Sequence, residues 1–166
     1  MIFLRPVRYL AQALILETTP RQLAWGFALG MMIGLIPKGN LIAIALMTLF
    51  CALRINIAAG TAAISLFTWC GMLLDPLSHR VGHHLLTHPE LQSLWTTLYN
   101  KNLVPWTAFN NTVVLGSTLI GLALLLPVYG ITRPIFGKIA PFLSERLKKF
   151  RVVQMLRGSE LAGKLA

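Results

Sequence analysis

The chain has 166 residues, room for one domain, of which 55% are hydrophobic and only 12% charged. Average soluble domains carry about 25% charged residues, so this chain has too few charges to cover a water-facing surface. The net charge of +10 would point to nucleic acid if spread over a soluble domain, but it is concentrated at the ends of apolar segments. Residues 133–166 hold eight Lys or Arg against two Glu. Basic ends beside apolar runs are the pattern of cytoplasmic flanks, which places both termini inside and leaves no role for nucleic acid.

Taken in chain order, residues 1–19 bring Leu4, Val7, Leu10 and Leu14 to one face, with Arg5, Arg8, Gln12 and Glu17 interspersed. This is too polar to span a bilayer and suits an interfacial helix. There is no apolar core followed by a small-residue cleavage site, so it does not read as a removable signal peptide. Thr19 is a good N-cap, Pro20 suits the first helical position, and Gln22 completes a Thr-x-x-Gln capping box.

The stretch 20–56 reads as a short helical hairpin. Its arms, residues 23–36 and 41–53, are about 21 and 20 Å long at 1.5 Å per residue, against a bilayer core of about 30 Å. Either the hairpin re-enters with Pro37-Lys38-Gly39-Asn40 shielded by protein, or it spans a thinned membrane while Lys38 reaches the surface. Gly26, Gly30 and Gly34, four residues apart, leave one helix face bare, so that another helix can approach closely.

Residues 57–74 form a segment about 27 Å long, enough to cross, with Gly60, Ala62, Ala63 and Ser65 as a small-residue surface. Residues 75–105 are the only extended polar stretch before the tail. Trp95, Tyr99 and Trp106 argue that it hugs the outer interface. Residues 107–130 cross back, with Asn110 and Asn111 as interface or packing groups and Pro127 as a kink near the end. The tail, 131–166, carries Leu143, Leu147, Phe150 and Val153 beside Arg146, Lys149 and Arg157. That is a basic amphipathic cytoplasmic helix suited to an anionic leaflet, or a basic anchor that sets orientation. The expected fold class is therefore an all-α polytopic integral membrane protein with a glycine-faced hairpin, two further transmembrane helices and interfacial helices.

Two groups of residues could carry chemistry. Asp75, His79 and His83 follow one another at spacing four if Pro76 opens a helix, with His84 and His88 on a neighbouring face. Two imidazoles at i and i+4 can grip zinc and a carboxylate could be a third ligand, but the Glu of H-E-x-x-H is missing. The alternative is a polar interfacial helix whose histidines bond to neighbours or water. The second group is Lys38, Gly39 and Asn40 at the break, with Arg54 and Asn56 closing the second arm. A cation at a broken membrane helix, beside the N–H groups of the next helix, can hold a lipid phosphate or another anion. A surface turn would leave Lys38 simply solvated.

Cys51 and Cys70 lie in apolar runs without a pairing motif and read as buried, inert thiols. No nucleophile elbow, phosphate-binding loop or dinucleotide fingerprint is present. Five acidic residues in all, none in the middle of an apolar segment, leave little material for acid–base chemistry or proton coupling.

The stretch PRQLAWGFALGMMIGLIPKGNLIAIALMTLFCALRIN resembles the bacterial membrane proteins of domain-of-unknown-function family 2062. Pro20, Gly26, Gly30, Gly34, Pro37, Gly39, Arg54 and Asn56 stand at matching positions, and Asp75, Pro76 and His79 resemble the polar stretch that follows. Members with Asn-Pro after the third segment differ here, where Asp75-Pro76 stands. The resemblance implies a multi-pass protein of the bacterial inner membrane and no particular reaction. The leading expectation is a non-enzymatic component that handles lipid or is a subunit of an envelope complex. Its partners would be membrane lipids, an anionic leaflet held through the basic tail, and other membrane proteins or further copies of itself. The rivals are a small zinc-dependent membrane enzyme using Asp75, His79 and His83, and an oligomeric permease; no other cofactor is implied.

Overall fold

The computed structural model describes residues 19–149, with side chains through Pro141. Of the expected interfacial helix at 1–19 all but Thr19 lies outside the described residues, as do the side chains of the basic tail beyond Pro141. The fold is all-α. Its helices are α1 (Pro20–Leu35), α2 (Leu41–Ala52), α3 (Ile57–Leu86), α4 (Gln92–Tyr99) and α5 (Thr112–Lys149), with 3-10 turns at Pro89–Leu91 and Val104–Thr107.

Each of the four longer helices begins on a short polar side chain that satisfies the first free N–H groups. Thr19 and Gln22 form the capping box, Thr19 N–H donating to Gln22 Oε1 at 3.0 Å and Gln22 N–H to Thr19 Oγ1 at 3.3 Å. Asn40 Oδ1 accepts from Ala43 N–H at 2.9 Å, and Asn56 Oδ1 from Ala59 N–H at 2.7 Å. Asn111 Oδ1 accepts from Val113 and Val114 at 2.9 and 3.3 Å, so its place is a cap. α1 stops because Pro37 has no N–H to give, and Ile36 before it is extended, at φ −81° and ψ 130°.

α1, α3 and α5 form a three-helix bundle, and α2 lies against α1 on its outer side. α1 and α3 run parallel, because α2 carries the chain back between them. Gly26 abuts the Asn56 backbone, Gly30 abuts Gly60, and Gly34 abuts Ile64 and Phe67. A Cβ on Gly26 or Gly30 would overlap main-chain atoms of α3 or its cap, so only glycine permits this approach. A further tie closes the start of the pair: Asn56 N–H donates to Gln22 O at 3.1 Å. α5 runs antiparallel to both. Gly116 abuts Ser78, Gly82 abuts Thr112, Gly121 abuts Met32, and Trp25 stacks on Tyr129 at 4.3 Å. α2 contributes Ala43, Leu46 and Phe50, one face at helical spacing, to clusters with Leu29, Met32, Ile33 and Ile36. The Phe50 ring sits over Gly60.

Three features differ from the sequence expectation. Pro76 does not open a helix: α3 runs through it, so residues 57–74 and the start of 75–105 are one rod ending at Leu86. A proline in a helix removes one hydrogen bond, but Ser78 and Gly82 beyond it are buried against α5 and hold the rod together. α5 begins at Thr112 and continues through Pro127, Pro134 and Pro141 to Lys149, beyond the expected end at 130. Finally, Cys51 is exposed on α2 and Cys70 is half-buried; both are free thiols.

α3 and α5 are long and apolar enough to cross a membrane, and only 28% and 22% of their most apolar stretches are buried. The core helix of a soluble protein would bury most of such a stretch, whereas here Leu66, Trp69, Met72, Leu73, Leu122 and Leu126 face outward. The helical hydroxyls suit the same surroundings. Thr48, Thr61, Thr68, Thr118 and Thr132 each donate to the carbonyl four residues earlier, at 2.6–2.9 Å.

Candidate functional site at the ends of the hairpin

The turn between α1 and α2 closes on itself. Lys38 Nζ donates to Ile33 O at 2.6 Å, Ile36 O at 2.7 Å and Gly34 O at 3.1 Å. These are carbonyls at the C-terminal end of α1, where partial negative charge accumulates and where a cation is favoured. All three ammonium donors are thereby engaged. Asn40, 5% exposed, donates from Nδ2 to Pro37 O at 2.6 Å while its Oδ1 caps α2. Gly39 supplies the positive φ, +93°, that the turn requires. Lys38, Gly39 and Asn40 thus serve the chain's own backbone. Asn56, 2% exposed, is likewise an N-cap.

The other end of the hairpin is open. The first three turns of α1 and the link after α2 line a pocket of about 650 Å³, formed by Thr19, Arg21, Gln22, Trp25, Leu29, Leu53, Arg54 and Ile55. Trp25, fixed by its stack on Tyr129, and Leu29, Leu53 and Ile55 form apolar walls. Arg21 and Arg54 are both exposed, and neither guanidinium has a hydrogen-bond or ion-pair partner among the described residues. Of the five anion-site candidates, Arg54 alone lines this pocket. Arg21 was not among them, although its place in the first turn of α1 was a signal, since a cation there opposes the helix dipole.

His79, His83 and His84 occupy the far end of α3, and His88 lies just beyond it. His79 Nδ1 is 2.7 Å from Thr112 Oγ1, and the His79 and His83 rings stand 5.7 Å apart. His84 and His88 pair at 6.1 Å on another face. Among the described residues no three His, Cys, Asp or Glu side chains, Asp75, His79 and His83 included, converge as ligands for a metal ion. Beside them Trp95 donates to Leu85 O at 3.0 Å and packs with Tyr99 around Phe109, while Trp106 stands 75% exposed.

Residues 4–140 match the model of a family described as uncharacterised proteins conserved in bacteria, DUF2062. The chain belongs to this family. It is also similar to an uncharacterised protein of Treponema pallidum (strain Nichols), 24% identical over 158 residues that cover 95% of this chain and 98% of the relative. No solved structure matches the chain. The family match covers α1 to α4 and most of α5, and so includes both ends of the hairpin.

Proposed function

We propose that this family member is a non-enzymatic protein of the bacterial inner membrane that handles lipid, with the open end of the hairpin and both termini on the cytoplasmic side. The observation that carries this reading is the pair of long apolar helices whose surfaces are left uncovered by the rest of the chain. The basic flanks supply the orientation, which puts Arg21 and Arg54 inside and the histidine end of α3 outside.

The hairpin then enters from the cytoplasm and turns back before the outer surface. Leu35, its last residue before the turn, lies against Gly71 of α3. Fifteen residues separate Asn56 from Gly71, about 22 Å of helix, against a bilayer core of about 30 Å. There Lys38 and Asn40 answer the carbonyls of the broken backbone from within the chain, as a turn below the membrane surface requires. The sparse acidic residues fit a binding or scaffolding role better than a catalytic one.

Membrane fractions washed with alkaline carbonate test the placement: the protein should stay in the pellet and be released only by detergent. Recovery as a soluble species in buffer alone would overturn it. A nitroxide at Lys38→Cys, in a Cys51→Ser/Cys70→Ser background, should be relaxed more strongly by oxygen than by a water-soluble nickel chelate; the reverse order would overturn the re-entrant depth.

A further inference from the structure

We propose that Arg21 and Arg54 form a headgroup clamp for one anionic phospholipid, whose phosphate lies between the guanidinium groups and whose acyl chains follow the apolar wall of the pocket. This inference rests on the membrane placement above and names the lipid class and the residues that hold it.

The electrostatics come first. Two guanidinium groups share one pocket with the N-terminal end of a 16-residue helix that has no acidic residue in its first turn. All three sources of potential are positive, and among the described residues no carboxylate pairs with either arginine. Such an arrangement is unfavourable for the protein alone and favourable around an anion. Phosphate suits it chemically, because a guanidinium offers two parallel donors that match two phosphate oxygens. The remaining cation of the hairpin, Lys38, is engaged with three carbonyls and lies at the opposite end.

The shape then selects a lipid over a free anion. A volume of about 650 Å³ far exceeds what a phosphate needs and lies within the usual range of organic-ligand pockets. Trp25, Leu29, Leu53 and Ile55 would gain nothing from a small hydrated ion. Leu53, 41% exposed at the rim, stands one turn beyond Leu49, 47% exposed on α2, so an apolar track leads from the pocket onto the outer face of the hairpin. An indole held flat against Tyr129 suits the level where headgroup meets acyl chain.

The full-length protein, purified in a neutral maltoside, is mixed with equal amounts of phosphatidylglycerol and phosphatidylcholine and its bound lipid read by native mass spectrometry. Wild type should retain phosphatidylglycerol in preference, and Arg21→Gln and Arg54→Gln should each lower that preference on the order of tenfold, with the double variant abolishing it. Lys101→Gln, which removes an exposed charge from the stretch at the opposite end of the bundle, should leave it unchanged. Arg21→Gln should raise the melting temperature slightly while weakening binding, because it relieves the conflict with the helix dipole; misfolding would move both downward together. A double variant that keeps the preference overturns the clamp. So does displacement of the lipid by millimolar inorganic phosphate, which would identify a free-anion site. Loss of the clamp in a protein that still pellets with membranes would leave the membrane placement standing, so the two failures are distinguishable.

Discussion

The two ends of the hairpin use the same kind of residue in opposite ways. At the turn, Lys38 is turned inward onto three carbonyls and Asn40 bridges Pro37 to α2, so the polar groups are satisfied by the chain itself. At the open end, Arg21 and Arg54 stand in a large, mostly apolar pocket with no partner among the described residues. A cation beside an apolar helix is therefore not by itself a sign of a ligand. What separates structure from binding is whether the backbone already supplies the acceptors.

The contrast breaks most severely if the bundle itself is pried apart. Gly30→Leu places a branched side chain against the Gly60 backbone and should cost about 3 kcal/mol or more, read as loss of a monodisperse peak in detergent and a collapsed melting temperature. Lys38→Met sharpens the comparison. It leaves three carbonyls without their cation and should destabilise by about 1–3 kcal/mol in thermal melts, while the lipid preference that depends on Arg21 and Arg54 stays intact. Asn56→Ala removes the cap of α3 and should cost about 1 kcal/mol in the same melts, with Thr19→Ala close behind. The smallest effect belongs to His79→Ala, which loses one exposed contact with Thr112. It should shift stability by no more than about 0.5–1 kcal/mol and leave the metal content of the purified protein unchanged.

Features set by neighbouring residues were legible in the sequence. Thr19, Pro20 and Gln22 announce their capping box within one turn, and the four-residue spacing of Gly26, Gly30 and Gly34 announces a bare face. Features set by distant residues were not. Pro76 reads locally as the start of a helix, and only the burial of Ser78 and Gly82 against Gly116 and Thr112 shows why α3 runs through it. Lys38 and Arg54 look alike on the page, because the carbonyl partners of one and the open pocket of the other exist only once the chain is folded. Arg21 is hard to recognise from the sequence for a related reason. Its conflict with the dipole was visible, but nothing in the sequence showed that residues 53–55 fold back beside it.

The parallel course of α1 and α3 has a consequence for how the protein is made. The surface that Gly26 and Gly30 fit, at Asn56 and Gly60, is translated 30 residues after them. Until that later segment is made, the glycine face of α1 has nothing in the chain to pack against. The hairpin therefore cannot reach its final packing before α3, and then α5, arrive to lock it in place.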